Sequence, residues 1–123
     1  MSLESKLYTL LSGDASVSAL VVARIYPVVL PQSVTLPAIT YSRISGGQVN
    51  SLSGYSGLEQ PRIQVDAWAT THVVVKELRD AVHAAMNGAT TFRALLESDM
   101  DLYEDDTKIY RISMDFFVTN EDE

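Results

Sequence analysis

Two runs of β-forming residues are separated by a stretch with no hydrophobic periodicity. Residues 45–57 read Ser-Gly-Gly-Gln-Val-Asn-Ser-Leu-Ser-Gly-Tyr-Ser-Gly. They hold four of the chain's six glycines and no charge, with only Val49, Leu52 and Tyr55 as sizeable apolar or aromatic groups. A segment of about a dozen residues without periodicity is longer than compact domains usually keep, and such segments tend to be functional or disordered. Set between strand-like residues 38–44 and 62–69, it reads as a long flexible loop that the rest of the chain holds in place.

The 123 residues are 46% hydrophobic and 20% charged, which suits one domain, residues 1–123, with a single core. A formal net charge of -7 disfavours a nucleic-acid binder, because attraction to phosphate needs a basic surface. An acidic surface fits ordinary solubility, or a lining past which nucleic acid slides without sticking. The absence of cysteine excludes disulfides, thiolate catalysis and Cys-based zinc sites. Met1-Ser2-Leu3-Glu4-Ser5-Lys6 lacks the basic and apolar regions of a signal peptide, and no apolar run approaches the roughly 20 residues that span a membrane. The chain ends in an acidic tail at residues 119–123, of which Glu121-Asp122-Glu123 is expected to fray.

Ser2 is placed to cap a first short helix, with Glu4 in its first turn and Leu3, Leu7, Leu10 and Leu11 at helical spacing. Gly13 reads as its stop, and Asp14 as the N-cap of a second short helix that turns Val17, Leu20 and Val21 inward. Pro27, Pro31 and Pro37 make the following segment an extended connector, with room for a short strand at residues 25–28. Residues 38–44 and 62–69 read as strands; in the second, Ile63, Val65, Ala67 and Ala69 alternate with Gln64, Asp66 and Trp68. Thr70 or Thr71 caps the one long helix, residues 72–87, whose apolar face is Val74, Val75, Leu78, Ala81, Val82, Ala85 and Met86. Residues 92–103 and 109–118 read as a final strand pair. A register of Leu96 with Phe116, Met100 with Ile112 and Leu102 with Tyr110 aligns their apolar sets and puts Asp101 opposite Arg111. It also sets Glu97 against Asp115, a cost unless a cation such as Arg62 stands on the neighbouring strand. The total is α+β: two short N-terminal helices, a mainly antiparallel sheet of about four strands, and one long helix packed on it.

Catalytic chemistry finds little to work with. Gly54-Tyr55-Ser56-Gly57-Leu58 lacks the last glycine of a nucleophile elbow and its strand–helix context. The loop glycines are not followed by the Gly-Lys-Ser/Thr of a phosphate loop. Asp99, Asp101, Glu104, Asp105 and Asp106 are dense, but an EF-hand loop would need Gly at Glu104 and Glu at Tyr110; Asp99 and Asp101 read more simply as a solvated strand face. His72 and His83 do not share a helical face. No catalytic, cofactor or metal site is therefore expected. Trp68 has two readings, a second apolar layer under the first helices or an interface anchor.

An ordered series of motifs carries a resemblance over nearly the whole chain. It runs from Leu10-Leu11-Ser12-Gly13-Asp14, Val17 and Leu20-Val21 to Arg24-Ile25-Tyr26-Pro27, Pro31-Gln32 and Leu36-Pro37. It continues through Tyr41-Ser42-Arg43-Ile44-Ser45, Arg62-Ile63-Gln64-Val65-Asp66-Ala67-Trp68, Asp101-Leu102-Tyr103-Glu104 and the final strand. In this the chain resembles the tail completion, or tail terminator, proteins of long-tailed phages and prophages. One departure is Val22, where a small turn residue is expected. The resemblance implies a structural, non-enzymatic virion assembly protein that caps the tail tube as a ring, typically a hexamer, and forms the joining surface to the head. The implied partners are further copies of itself, the tail tube protein and the head–tail connector protein, with DNA passing through unbound and no membrane involved. The implied location is the virion tail, and the host bacterial cytoplasm during assembly. The alternative is a non-catalytic adaptor of the same fold acting through the 45–57 loop. Gln48, Asn50, Tyr55, Leu58 and Trp68 are the residues expected at the oligomer or docking interface.

Overall fold

The computed structural model describes residues 3–45, 48–51, 54–59 and 61–121, and the side chains of 45–60 and 120–121 lie outside that description, as does the expected cap Ser2. The helices are α1 (Leu3–Gly13), α2 (Ala15–Val21) and α3 (His72–Asn87). The strands are β1 (Ile25–Pro27), β2 (Ala38–Ser45), β3 (Gln48–Ser51), β4 (Gly54–Glu59), β5 (Arg62–Ala69), β6 (Arg93–Glu104) and β7 (Ile109–Glu121). The class is α+β, with more strands than the four read from periodicity.

Local chemistry explains the helices. Leu3, Leu7 and Leu11 stand one turn apart and are all buried. The Asp14 carboxylate accepts the Val17 N–H at 3.0 Å and starts α2, which buries Val17 and Val21. Of the two threonines before α3, Thr71 is the cap, its hydroxyl accepting the Val74 N–H at 3.2 Å. Val75, Leu78, Val82, Ala85 and Met86 form the buried face of α3. The Gly88 N–H closes its end on the Ala84 and Ala85 carbonyls at 3.1 and 3.2 Å. Arg24 ties the end of α2 to the start of β2, donating from Nε to the Pro37 carbonyl at 2.9 Å and from Nη2 to that of Leu20 at 3.4 Å.

The main sheet runs β1-β2-β5-β7-β6, antiparallel except for β1, which lies parallel to β2. Ile39 and Tyr41, Ile63, Val65 and Ala67, and Ile112, Met114, Phe116 and Val118 all point to one face. There they join the buried side chains of α1, α2 and α3 in one contiguous core. Each large side chain buried in this way contributes about 1.5–3 kcal/mol.

Two departures from the sequence expectation follow from backbone geometry. The first concerns β6. Leu96 pairs with Phe116 as expected, but the register shifts between Leu96 and Ser98. Glu97 is the extra residue of a β-bulge, and beyond it Met100 faces Ser113, Leu102 faces Arg111 and Asp101 faces Ile112. One inserted residue exchanges the two faces of the strand. Asp99 and Asp101 therefore stand on the side of α3 and remain solvent-exposed, as expected of them, with Arg79 Nη2 2.7 Å from Asp99 and His72 3.8 Å from Asp101. Met100 turns outward. Tyr103 meets Tyr110 ring to ring at 4.7 Å.

The second departure is the expected loop at 45–57, whose described parts are strand. Gln48 pairs with Glu59 and Val49 with Leu58; Ser51 pairs with Gly54 beside the turn. β4 continues the register of β5 along β7, since Arg62 pairs with Phe117 and, three residues on, Glu59 pairs with Asn120. β3 likewise continues β2, as Ser45 pairs with Arg62 and Gln48 with Glu59. The glycine-rich stretch is thus the distal half of one long hairpin, here called the arm. Its glycines and serines hide it from a periodicity test. β7 runs to Glu121 beside it, so the first of the three residues expected to fray is paired strand; residues 122–123 lie outside the described part.

Val22 ends α2 at φ 59 and ψ -99, a left-handed conformation that a β-branched side chain resists, and the side chain is exposed. Relief of strain of about 1–3 kcal/mol at such a site is offset in part by the added freedom of glycine in the unfolded chain. Val22→Gly is expected to raise stability by about 1 kcal/mol in urea unfolding. A loss of stability would show that the valine side chain contributes contacts that outweigh its strain.

Candidate assembly surfaces

All three helices lie on one side of the sheet, so the other side carries the chain's open face. Across it run rows of paired residues: Thr40, Asp66, Ser113 and Met100; Ser42, Gln64, Asp115 and Ser98; Ala38, Trp68, Arg111 and Leu102. Trp68 belongs to this open face, which excludes a layer beneath the first helices. Its indole N–H donates to the Thr40 hydroxyl at 2.9 Å, and the Arg111 guanidinium lies 5.0 Å from the ring centroid. Beneath this pair Thr40 and Asp66 are buried. The Gln64 amide donates to both Asp66 carboxylate oxygens at 3.0 and 3.1 Å, and Arg111 Nε stands 3.9 Å away. A buried carboxylate held in this manner makes the middle of the face rigid and polar.

Toward the arm, Arg62 occupies the position that the sequence required of it. Its guanidinium lies 3.2 Å from Glu97 and donates to Asp115, neutralising two carboxylates that would otherwise face each other. It also lies 5.6 Å from the centroid of the Phe117 ring. Phe117 pairs with Leu95, and both are exposed, Leu95 at 70%. The bulge leaves Met100 exposed at 60% on the same strand. The open face is therefore polar in its middle and apolar along β6.

The two edges of the sheet differ. At β1, Pro27 has no N–H, its carbonyl accepts the Val29 N–H at 2.8 Å, and the Ile25 N–H donates to Ala23 at 2.9 Å. Local turns and a proline close that edge. At the other end β6, twelve residues long, pairs with β7 alone among the described residues.

Four of the five expected interface residues fall together on the arm: Gln48 and Asn50 on β3, Tyr55 and Leu58 on β4, with Asn50 opposite Tyr55. Their side chains are outside the described part. Trp68 stands apart, ten residues beyond Leu58, or roughly 33 Å of strand. Leu95, Met100 and Phe117 were not foreseen. A signal for two of them exists: Leu95-Leu96 and Phe116-Phe117 are adjacent apolar pairs, and one member of any such pair in a strand must face outward.

Among the described residues two titrating groups are displaced, both on the helix side. Burial lowers the pKa of Arg79, but hydrogen bonds to Asp99 and Asp80 outweigh it and the net shift is upward. Burial, then the charges of Glu4 and Tyr8, raise the pKa of Tyr41. An open hollow of about 630 Å³ at the end of α3 is lined by Asn87, Thr90, Thr91, Arg93 and Thr119, a set with no acid–base pair. Among the described residues no group of His, Asp and Glu is placed to hold a metal ion, and no helix is long and apolar enough to cross a membrane.

The family model of tail completion protein gp17 matches residues 5–119. The chain belongs to that family. Its role is that of a structural protein of the phage tail. A chain in the solved structure titled "Virion of native gene transfer agent (GTA) particle" shares the fold. The TM-score is 0.74 at 20% identity, covering 96% of this chain and 93% of that one. No curated protein sequence matches. In this tail completion protein the open face and the β6 edge are the surfaces that the helices leave uncovered.

Arg62→Ala is expected to cost about 1 kcal/mol at low salt, since the pair is partly exposed, and the cost should shrink in 1 M salt. Chemical denaturation at the two ionic strengths measures it. Equal stability of variant and parent at both would mean that Arg62 does not hold the bulge.

Proposed function

We propose that this tail completion protein caps the finished tail tube as a closed ring, six copies being the number its family resemblance implies, and presents on the ring's far side the surface that receives the head–tail connector. The observation that carries the reading is the arm. A two-stranded ribbon on its own is marginally stable in water, and among the described residues β3 pairs with β4 alone. A chain that keeps such a ribbon beyond its sheet has a use for it against a neighbour, and Gln48, Asn50, Tyr55 and Leu58 are the arm residues assigned to that contact. Trp68, on the open face, is the fifth. The role is geometric, so no residue is given a catalytic or cofactor-binding part.

The net charge of -7 supports a channel through which DNA passes without being held, because a lining of like sign gives phosphate nothing to bind. Assembly would take place in the host bacterial cytoplasm, before the virion is complete.

Light scattering over a concentration series, alone and with purified tail tube subunits, tests the reading. The expected result is a discrete closed oligomer that binds tube ends. A strict monomer at every concentration, with no affinity for the tube, would overturn it and favour an adaptor acting through the arm.

A further inference from the structure

We propose that the free edge of β6 is the seat for the arm of a second copy of this chain, so that neighbouring subunits join by strand addition. The inference rests on the ring reading above and names the surfaces that close it.

The edge groups can be assigned from one bond. The Val118 N–H donates to the Pro61 carbonyl on the β5 side at 3.0 Å. In an antiparallel ladder the two backbone groups of a residue point the same way and successive residues alternate. Phe117, Asp115, Ser113 and Arg111 therefore face β6, and their partners Leu95, Ser98, Met100 and Leu102 face back. Ala94, Leu96, Asp99, Asp101 and Tyr103 turn their backbone N–H and C=O groups outward, where β6 has no neighbour among the described residues. An edge strand of twelve residues without proline is a template for another strand.

The candidates for that strand reduce to one. The β1 edge of a neighbour is closed by Pro27 and its turns. A second β6 is opposed by charge: the strand carries Glu97, Asp99, Asp101 and Glu104 against a single Arg93, so self-pairing would bring like charges together. Such a two-fold contact also closes at two copies and builds no ring. The arm has no charged residue from position 45 to 58 and is already extended, so it meets the acidic edge without repulsion. Arm on β6 is a head-to-tail contact, the type that closes into rings. Backbone pairing to a sheet edge is also a recurrent recognition mode. An added strand would shield Leu95 and Met100, the apolar residues that β6 leaves exposed on the open face.

The chain has no cysteine, so thiols can be placed one at a time. Asn50→Cys combined with Met100→Cys, treated with a short bismaleimide, should give a ladder of linked subunits ending at the ring, and neither single variant should give one. Asp101→Pro removes an outward N–H and no bond to β7; it should leave the thermal midpoint near that of the parent and shift the light-scattering mass to monomer. A closed oligomer without the ladder, or one that Asp101→Pro forms as readily as the parent, would overturn the inference and leave the ring intact. Dimers from Met100→Cys alone would replace it with β6 self-pairing. Monomer under every condition would remove the ring and this contact together.

Discussion

The two-sided pairing of β7 is the constraint on which the rest of the structure depends. Over residues 110–117 this strand bonds to β5 on one side and β6 on the other, and its end carries the root of β4. Without it the sheet falls into three pieces: β1-β2-β5, β3-β4 and β6 alone. Its alternate residues Ile112, Met114, Phe116 and Val118 are the inner row against which the helices close. The residues that alternate with them, Arg111, Ser113, Asp115 and Phe117, set the character of the open face. One strand therefore couples core and surface, and any change of register in its neighbours is read out on both.

The bulge at Glu97 shows how this coupling works. Up to Leu96 the ladder follows the apolar alternation, and a single extra residue then exchanges the faces. The exchange does not bury Asp99 and Asp101: both stay exposed beside α3, where Arg79 pairs with Asp99. Arg62 meanwhile holds the bulged Glu97 together with Asp115. The displaced apolar residue, Met100, is left on the open face. Local electrostatics thus offsets the loss of one residue from the inner row, and the by-product is an apolar edge.

Much of the fold was legible because its causes are local. Asp14 and Thr71 each announce a helix start by a side chain that bonds three residues on, and α3 declares its buried face by spacing alone. Arg62 could be named as the cation between Glu97 and Asp115 before any contact was known. The bulge was not legible, because alternation on both sides of it fits a straight ladder equally well and nothing local marks Glu97 as the extra residue. The arm was missed for the opposite reason: its strand state is set by continuity with β2 and β5, not by its own glycines and serines. Trp68 was placed on the correct side of its strand, but which side the helices would leave open depends on how three separate helices converge. The resemblance read from ordered motifs agrees with the family match over residues 5–119. Val22, the one departure noted in it, is where the backbone takes up a conformation better suited to glycine.

The distribution of charge gives the arm its meaning. Each copy carries a net charge of -7, so any ring of identical subunits is assembled against its own repulsion. Contacts made of opposite charges would need a basic surface that this chain, with nine Lys and Arg, does not concentrate anywhere in its sequence. Backbone hydrogen bonds and apolar side chains are indifferent to net charge. A neutral ribbon is the segment of this sequence best suited to approach an acidic neighbour, and an unpaired strand edge is the surface best suited to receive it. The composition that first made residues 45–57 look like a loop, free of charge and short of large side chains, is on this argument what allows them to act as a joint.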